Sequence, residues 1–240
     1  MSNAQPATPI GEISWCAPGV SQVCDRDVVL FGVSNMLSDI IEAIDALGGR
    51  FSRLVVNQPE VTRPRTLGYA ARFARLGVAP EIVDWKDFGP REGELHALGT
   101  TAAGRDQLMA RARETWGLGF AALVHPRAYL SRFVEVGEGA FVGAGSVIGP
   151  GSVLEAAVFV NRGVTVGHDT RLGEACRLMP GCNVGGHVTV GARATIGMGA
   201  SVIEELEIGA DALVAAGAVV IRDVPTGARV AGVPAKPLGA

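Results

Sequence analysis

The sequence predicts two architectures in series: an α/β N-terminal domain on a small parallel sheet, then an all-β parallel β-helix of hexapeptide repeats. Three observations carry this expectation. An aliphatic residue returns at every sixth position from Val124 to Val220 without a slip. Glycine follows many of those positions, and the chain holds 33 glycines in 240 residues, about twice the ordinary share. Before residue 122 the period of six vanishes, and short apolar runs alternate with stretches of helical spacing. That alternation is the sequence form of a parallel sheet covered by helices.

Residues 1–25 show no convincing period and are expected to be an N-terminal extension. Residues 26–121 form the predicted α/β domain. "DVVLFGVS" is a short apolar strand ending at a glycine. In "NMLSDIIEAIDALGG", Met36, Leu37, Ile40, Ile41, Ile44 and Leu47 share a helical face, and Gly48 and Gly49 stop it. "RLVVNQ", "PEIVDW" and "ELHALG" supply three more strands, and "AAGRDQLMARARETWG" a helix capped at Gly117. The strand–glycine–helix order at Gly32, Ser34 and Asn35 offers a phosphate cradle, because a helix start presents free N–H groups. One glycine is not the dinucleotide fingerprint. A looser nucleotide-sugar site therefore stands beside simple strand-to-helix packing.

Residues 122–225 form the predicted β-helix. Two positions before each aliphatic the residue is small or β-branched, as at Ala140, Ser146, Thr170, Cys176, Cys182 and Ala194. Positions two apart share a strand face, so each hexad gives two inward residues and a glycine-bearing turn. Three hexads close one triangular coil, buried only by its neighbours. Cys176 and Cys182 fall at the small inward site and read as core.

Composition removes several functions. The net charge is −3 with only Lys86 and Lys236 as lysines, which excludes a general nucleic-acid surface. No apolar run is long enough to span a membrane. The start lacks the charged-then-apolar order of a secretory leader. The four cysteines lack paired metal-ligand spacing. Few cysteines in a large domain point to a cytoplasmic protein, and no metal is expected, since His125 lies more than two coils before His168 and cannot join it and His187 as a ligand set.

The segments "VVLFGVSN", "ALGTTAAGRDQL", "ALVHPRAYLS", "VNRGVTVGHDTRLG" and "VAAGAVVIRDVPTGARVAGVPAKPL", with the hexads between, carry a resemblance over residues 26–238. The chain resembles the bacterial sugar O- and N-acyltransferases, of the sialic-acid O-acetyltransferase and UDP-4-amino-sugar N-acetyltransferase type, among the left-handed β-helix acyltransferases. That resemblance implies a Rossmann-like substrate-binding domain, a left-handed coil and a homotrimer with active sites between subunits. It implies acetyl-CoA as acyl donor, a nucleotide-linked sugar as acceptor and a C-terminal tail, residues 226–240, contacting CoA.

On the same resemblance His168 is the catalytic base and Asp169 its supporting carboxylate. The chemistry agrees independently: attack on a thioester needs an amine or hydroxyl relieved of its proton, and histidine titrates in the right range. The resemblance also places Asn161 near the acceptor, and Gly186, Met198, Ala216 and Lys236 near CoA. Arg177 stands where relatives often carry a second histidine. Its guanidinium cannot act as a base, so a CoA phosphate or an anionic acceptor is its expected partner. Phe141, Phe159, Arg177, Thr195 and Leu213 fall outward on one side of the prism, and their apolar members are expected to meet a partner subunit. A catalytically decayed scaffold or a CoA- or sugar-binding protein is the alternative, and nitrogen and oxygen both remain open as the acylated atom.

Overall fold

A computed structural model describes residues 21–34, 36–57, 67–101 and 104–238. The first part comprises β1 (Asp27–Phe31), α1 (Leu37–Ala46), β2 (Arg50–Val56), α2 (Tyr69–Leu76), β3 (Glu81–Asp84), β4 (Leu95–Leu98) and α3 (Arg105–Trp116). Its four strands are parallel, in the order β3-β2-β1-β4. Central β1 is apolar on both faces, with Val28, Val29, Leu30 and Phe31 all buried, as a covered parallel sheet requires. Helix α1 turns Leu37, Ile40, Ile41 and Ile44 inward and gives way to Gly48 in the left-handed region.

Helix α2 has no counterpart in the sequence reading. It buries only Phe73, so its apolar face is too narrow to show a period. Its ends are nonetheless marked, by Gly68 before it and by Gly77 at φ 66 after it.

From Leu123–Val124 to Val219–Val220 the chain runs as two-residue strands, and the aliphatic of each hexad is the second residue of its strand. Up to Ser201–Val202 every strand pairs in parallel with the one eighteen residues on, as in Phe141↔Phe159↔Arg177 and Leu154↔Leu172. Three sheets result, forming the sides of a triangular parallel β-helix. Side 1 begins at Leu123–Val124, side 2 at Tyr129–Leu130 and side 3 at Glu135–Val136. Inside, Ile148, Leu154, Val160, Leu172, Leu178 and their equivalents form one continuous core. Cys176 and Cys182 belong to it as expected, and burial pushes the Cys182 thiol up to about 12.

Every corner from Gly139 to Gly217 places one residue in the left-handed region. At the corner joining sides 1 and 2 this is always glycine, from Gly145 through Gly163, Gly181 and Gly199 to Gly217. At the corner joining sides 2 and 3 it is Gly151, Asp169, His187 and Glu205. A non-glycine residue there costs about 1 kcal/mol, and Asp and His are among those that bear it best.

The outward residues of side 1 correct one expectation. Phe141 and Phe159 stack with ring centroids 5.2 Å apart and are buried with Leu37, Ile40 and Ile44 of α1. Phe141 and Phe159 are thus covered by the chain's own α/β domain, not by a partner subunit, while Leu213 further along the side is half-buried and outside that cluster. Buried Arg105 fastens this joint, donating to Ala157 O (2.8 Å), Gly139 O (2.7 Å) and Thr100 O, with its guanidinium over the Phe159 ring. Burial lowers its pKa to about 9, so the group stays charged at neutral pH. No described helix is long and apolar enough to cross a membrane.

Candidate active site

The corner at His168 is built by the coils on either side of it. Gly167 must be glycine, since a Cβ there would collide with the Gly185–Gly186 backbone one coil on. Ser152, fully buried one coil earlier, donates to Gly167 O at 2.8 Å and accepts the Thr170 N–H at 3.3 Å. Those two bonds bracket His168 and Asp169. Buried Thr170 repeats the device for the next corner: its Oγ1 lies 2.9 Å from Gly185 O and accepts the Val188 N–H. Such satisfied hydroxyls specify backbone position inside an otherwise apolar core.

His168 Nδ1 and Asp169 Oδ2 are 2.9 Å apart. An ionised carboxylate only accepts, so Nδ1 carries a proton and donates, and in the neutral imidazole Nε2 then keeps its lone pair. Both side chains are more than half exposed, at 57% and 54%, so the pair is open to a substrate. Gly186 lies against the imidazole: a Cβ there would come within 2.9 Å of Nε2. Its φ lies outside the left-handed region, so the ring, not the backbone, requires glycine.

The structure adds His187, which the sequence reading weighed only as a metal ligand. Its Nε2 is 3.9 Å from Asp169 Oδ2, and its ring stands edge to face with His168 at a centroid distance of 4.9 Å. Among the described residues, His168, Asp169 and His187 are the group whose ligand-type atoms lie within 4.8 Å of one another, as a metal would need. His125 does not join them. It is buried, accepts the Arg127 N–H on Nδ1 at 3.0 Å, and meets Glu42 of α1 through Nε2 at 2.9 Å.

The other expected residues divide between two corners. Gly186 shares the corner of His168. Asn161, Met198 and Ala216 fall at the corner joining sides 1 and 2, where the Gly217 N–H donates to Met198 O at 2.8 Å. Asn161 is buried; its Oδ1 accepts the Arg162 N–H at 2.8 Å and its Nδ2 has no partner. It lines a cavity of about 40 Å³ with Asp39, Glu42, His125 and Arg162, room for a functional group but not for a sugar ring. Met198, Ala216 and Lys236 are exposed.

Arg177 is not in an open groove. It lies on side 1, donating from Nη2 to Thr195 Oγ1 at 2.7 Å and from Nη1 to Thr101 O at 3.5 Å, and burial lowers its pKa. Those contacts put it beside the α/β domain. Side 2, between the two corners, presents the uncharged row Tyr129, Val147, Thr165, Asn183, Ser201 and Val219.

Gly32 and Ser34 lie just beyond the end of β1. Gly32 has φ 76, and a Cβ would press on Leu108 at 2.7 Å. Ser34 Oγ donates to Gly99 O and accepts the Met36 N–H. Asn35 lies outside the described residues. With the order β3-β2-β1-β4, the chain changes direction across the sheet between β1 and β4, the place where open α/β sheets bind ligands. Arg72 of the unexpected α2 donates to Ser34 O at 3.0 Å and brings a guanidinium there.

The chain matches the family described as bacterial transferase hexapeptide (six repeats) over residues 169–204. Among solved structures it is similar to PerB from Caulobacter crescentus in complex with CoA and GDP-perosamine. Identity is 32%, covering 92% of this chain and 100% of that one, with a TM-score of 0.75. The acetyltransferase domain of PglB from Neisseria gonorrhoeae is 26% identical over 89% of this chain and 100% of that one, also at TM-score 0.75. WeeI from Acinetobacter baumannii, at 20% identity, 89% and 100% coverage and TM-score 0.72, shares the fold. These structures have the left-handed β-helix, and the hexad coils here take the same form. No curated protein matches the sequence significantly.

Proposed function

Because the chain belongs to the sugar acyltransferases of the left-handed hexapeptide β-helix type, we propose that it transfers the acetyl group of acetyl-CoA to an amino or hydroxyl group of a nucleotide-linked sugar. His168 acts as general base and Asp169 as its supporting carboxylate. The observation that carries this reading is the 2.9 Å contact of His168 Nδ1 with Asp169 Oδ2 on an exposed corner. It is supported by PerB, whose structure holds CoA and GDP-perosamine.

His168 Nε2 takes the proton from the acceptor nitrogen or oxygen as that atom adds to the thioester carbonyl. Asp169 favours the imidazolium so formed. The Gly186 backbone N–H stabilises the oxyanion. The intermediate collapses by breaking the carbon–sulfur bond, and His168 returns its proton to the departing thiolate of CoA. The nucleotide of the acceptor sits beyond β1 and β4, over Gly32, Ser34 and Arg72, and Asn161 Nδ2 hydrogen-bonds its sugar.

Side 2 supports a reading of the assembly. Its uncharged row with exposed Tyr129 and Val147 suits a homotrimer in which this side meets the next subunit. The Met198–Ala216 corner of one subunit then faces the His168 corner of another, with acetyl-CoA between them and Lys236 near its phosphates.

The test is release of free CoA thiol from acetyl-CoA across a panel of nucleotide-linked amino sugars and free sugars. In folded His168→Ala, turnover is expected to fall by roughly 10²–10⁴. Undiminished turnover would remove His168 from the mechanism. CoA binding without turnover on any acceptor would favour the decayed scaffold.

A further inference from the structure

The corner of His168 and Asp169 carries one group that this chemistry leaves unused. His187 takes the same left-handed position as Asp169, one coil on, at φ 54 against 52. Its N–H donates to His168 O across 2.9 Å. Coils are spaced like neighbouring strands, about 4.8 Å apart, so the side chains stack. His187 Nε2 then faces Asp169 Oδ2 at 3.9 Å, the same oxygen that holds His168 Nδ1 at 2.9 Å. The two imidazoles meet edge to face with an interplanar angle of 89°, a favoured aromatic arrangement.

An exposed carboxylate holds an exposed imidazole weakly, because water competes and both side chains lose rotamer freedom. The column around the pair reduces that freedom. A Cβ at Gly151, one coil earlier, would collide with the Asp169 carboxylate, and one at Gly186 would displace the His168 ring. Side chains are missing where the pair needs room. His187 supplies a wall where it does not.

We propose that His187 is a positioning residue: it holds the Asp169 carboxylate on the Nδ1–H of His168 and keeps Nε2 turned toward the acceptor. The inference rests on the acyl-transfer reading above, in which His187 acts through Asp169 and touches neither substrate. His187→Gly removes the imidazole at a backbone angle that glycine adopts freely, and His187→Gln restores a polar side chain of similar reach against the Asp169 carboxylate, 3.9 Å from His187 Nε2 in the native protein. With an acceptor found by the CoA-release panel, kcat is expected to fall roughly ten- to a hundredfold in His187→Gly. KM for acetyl-CoA stays unchanged, and His187→Gln recovers most of the rate. In substrate-free enzyme, ¹⁵N NMR of the ring nitrogens is expected to place the His168 proton on Nδ1 in the native protein. In His187→Gly it divides between Nδ1 and Nε2. An unchanged kcat with an unchanged proton position overturns the proposal, and so does a change confined to KM for acetyl-CoA. If His168→Ala retains turnover, the acyl-transfer reading fails instead, and the NMR result alone still decides whether His187 orders the pair.

Discussion

Gly186 separates what glycine does for a backbone from what it does for a side chain. Its φ is ordinary, so alanine adds no backbone strain, yet the new Cβ would come within 2.9 Å of His168 Nε2 and 3.0 Å of Cε1. The exposed ring can swing away, and in doing so it leaves the oxygen of Asp169. Gly186→Ala is therefore expected to melt within a few degrees of the native protein while CoA release falls roughly a hundredfold, the scale on which an ångström of misplacement acts. A collapse of the melting transition would show that the glycine serves the coil instead. At this scale the sequence disclosed His168 and Asp169, because they are adjacent and interrupt a run of small residues. It did not disclose the approach of His187 to Asp169, because the eighteen-residue coil stacks the two positions but the direction of each side chain at the corner is not written in the spacing. Nor did it disclose Ser152 and Thr170 as the brackets of two corners, because a buried hydroxyl looks in sequence like any small inward residue.

Among elements, the joint between the α/β domain and side 1 rests on α1 packed against Phe141 and Phe159 and on one arginine of α3. Arg105 is 1% exposed and satisfies the carbonyls of Thr100, Gly139 and Ala157. A methionine fills similar space but donates nothing, leaving buried carbonyls unpaired at about 1–3 kcal/mol each. Arg105→Met is expected to lose about 3 kcal/mol or more in urea unfolding, with the α/β domain melting before the β-helix. A loss below about 1 kcal/mol would mean that water replaces the guanidinium at little cost. The period of six made every β-helix strand legible, because inward aliphatics are enforced at each coil. Helix α2 was hidden by its single buried residue, Phe73. The stripe of Phe141 and Phe159 was legible as a contact surface and not as to its partner, because outward apolar residues look the same whether a domain or a subunit covers them.

For the whole molecule, the separation of the expected site residues onto two corners sets the problem. His168 and Gly186 flank one edge of side 2, while Met198 and Ala216 flank the other. In the proposed trimer, where side 2 meets the next copy, one acetyl-CoA bridges the His168 corner of one copy and the Met198–Ala216 corner of another. Light scattering is expected to give three times the 24.8 kDa of the chain. The sharper measurement mixes two inactive variants. His168→Ala lacks the base but keeps its coenzyme corner, and Ala216→Trp blocks that corner but keeps the base. In trimers reassembled from both, an interface can pair the intact His168 corner of one variant with the intact Ala216 corner of the other, and CoA release should return to a sizeable fraction of the native rate. If each site lay within a single chain, every site in the mixture would carry one defect and no activity would return.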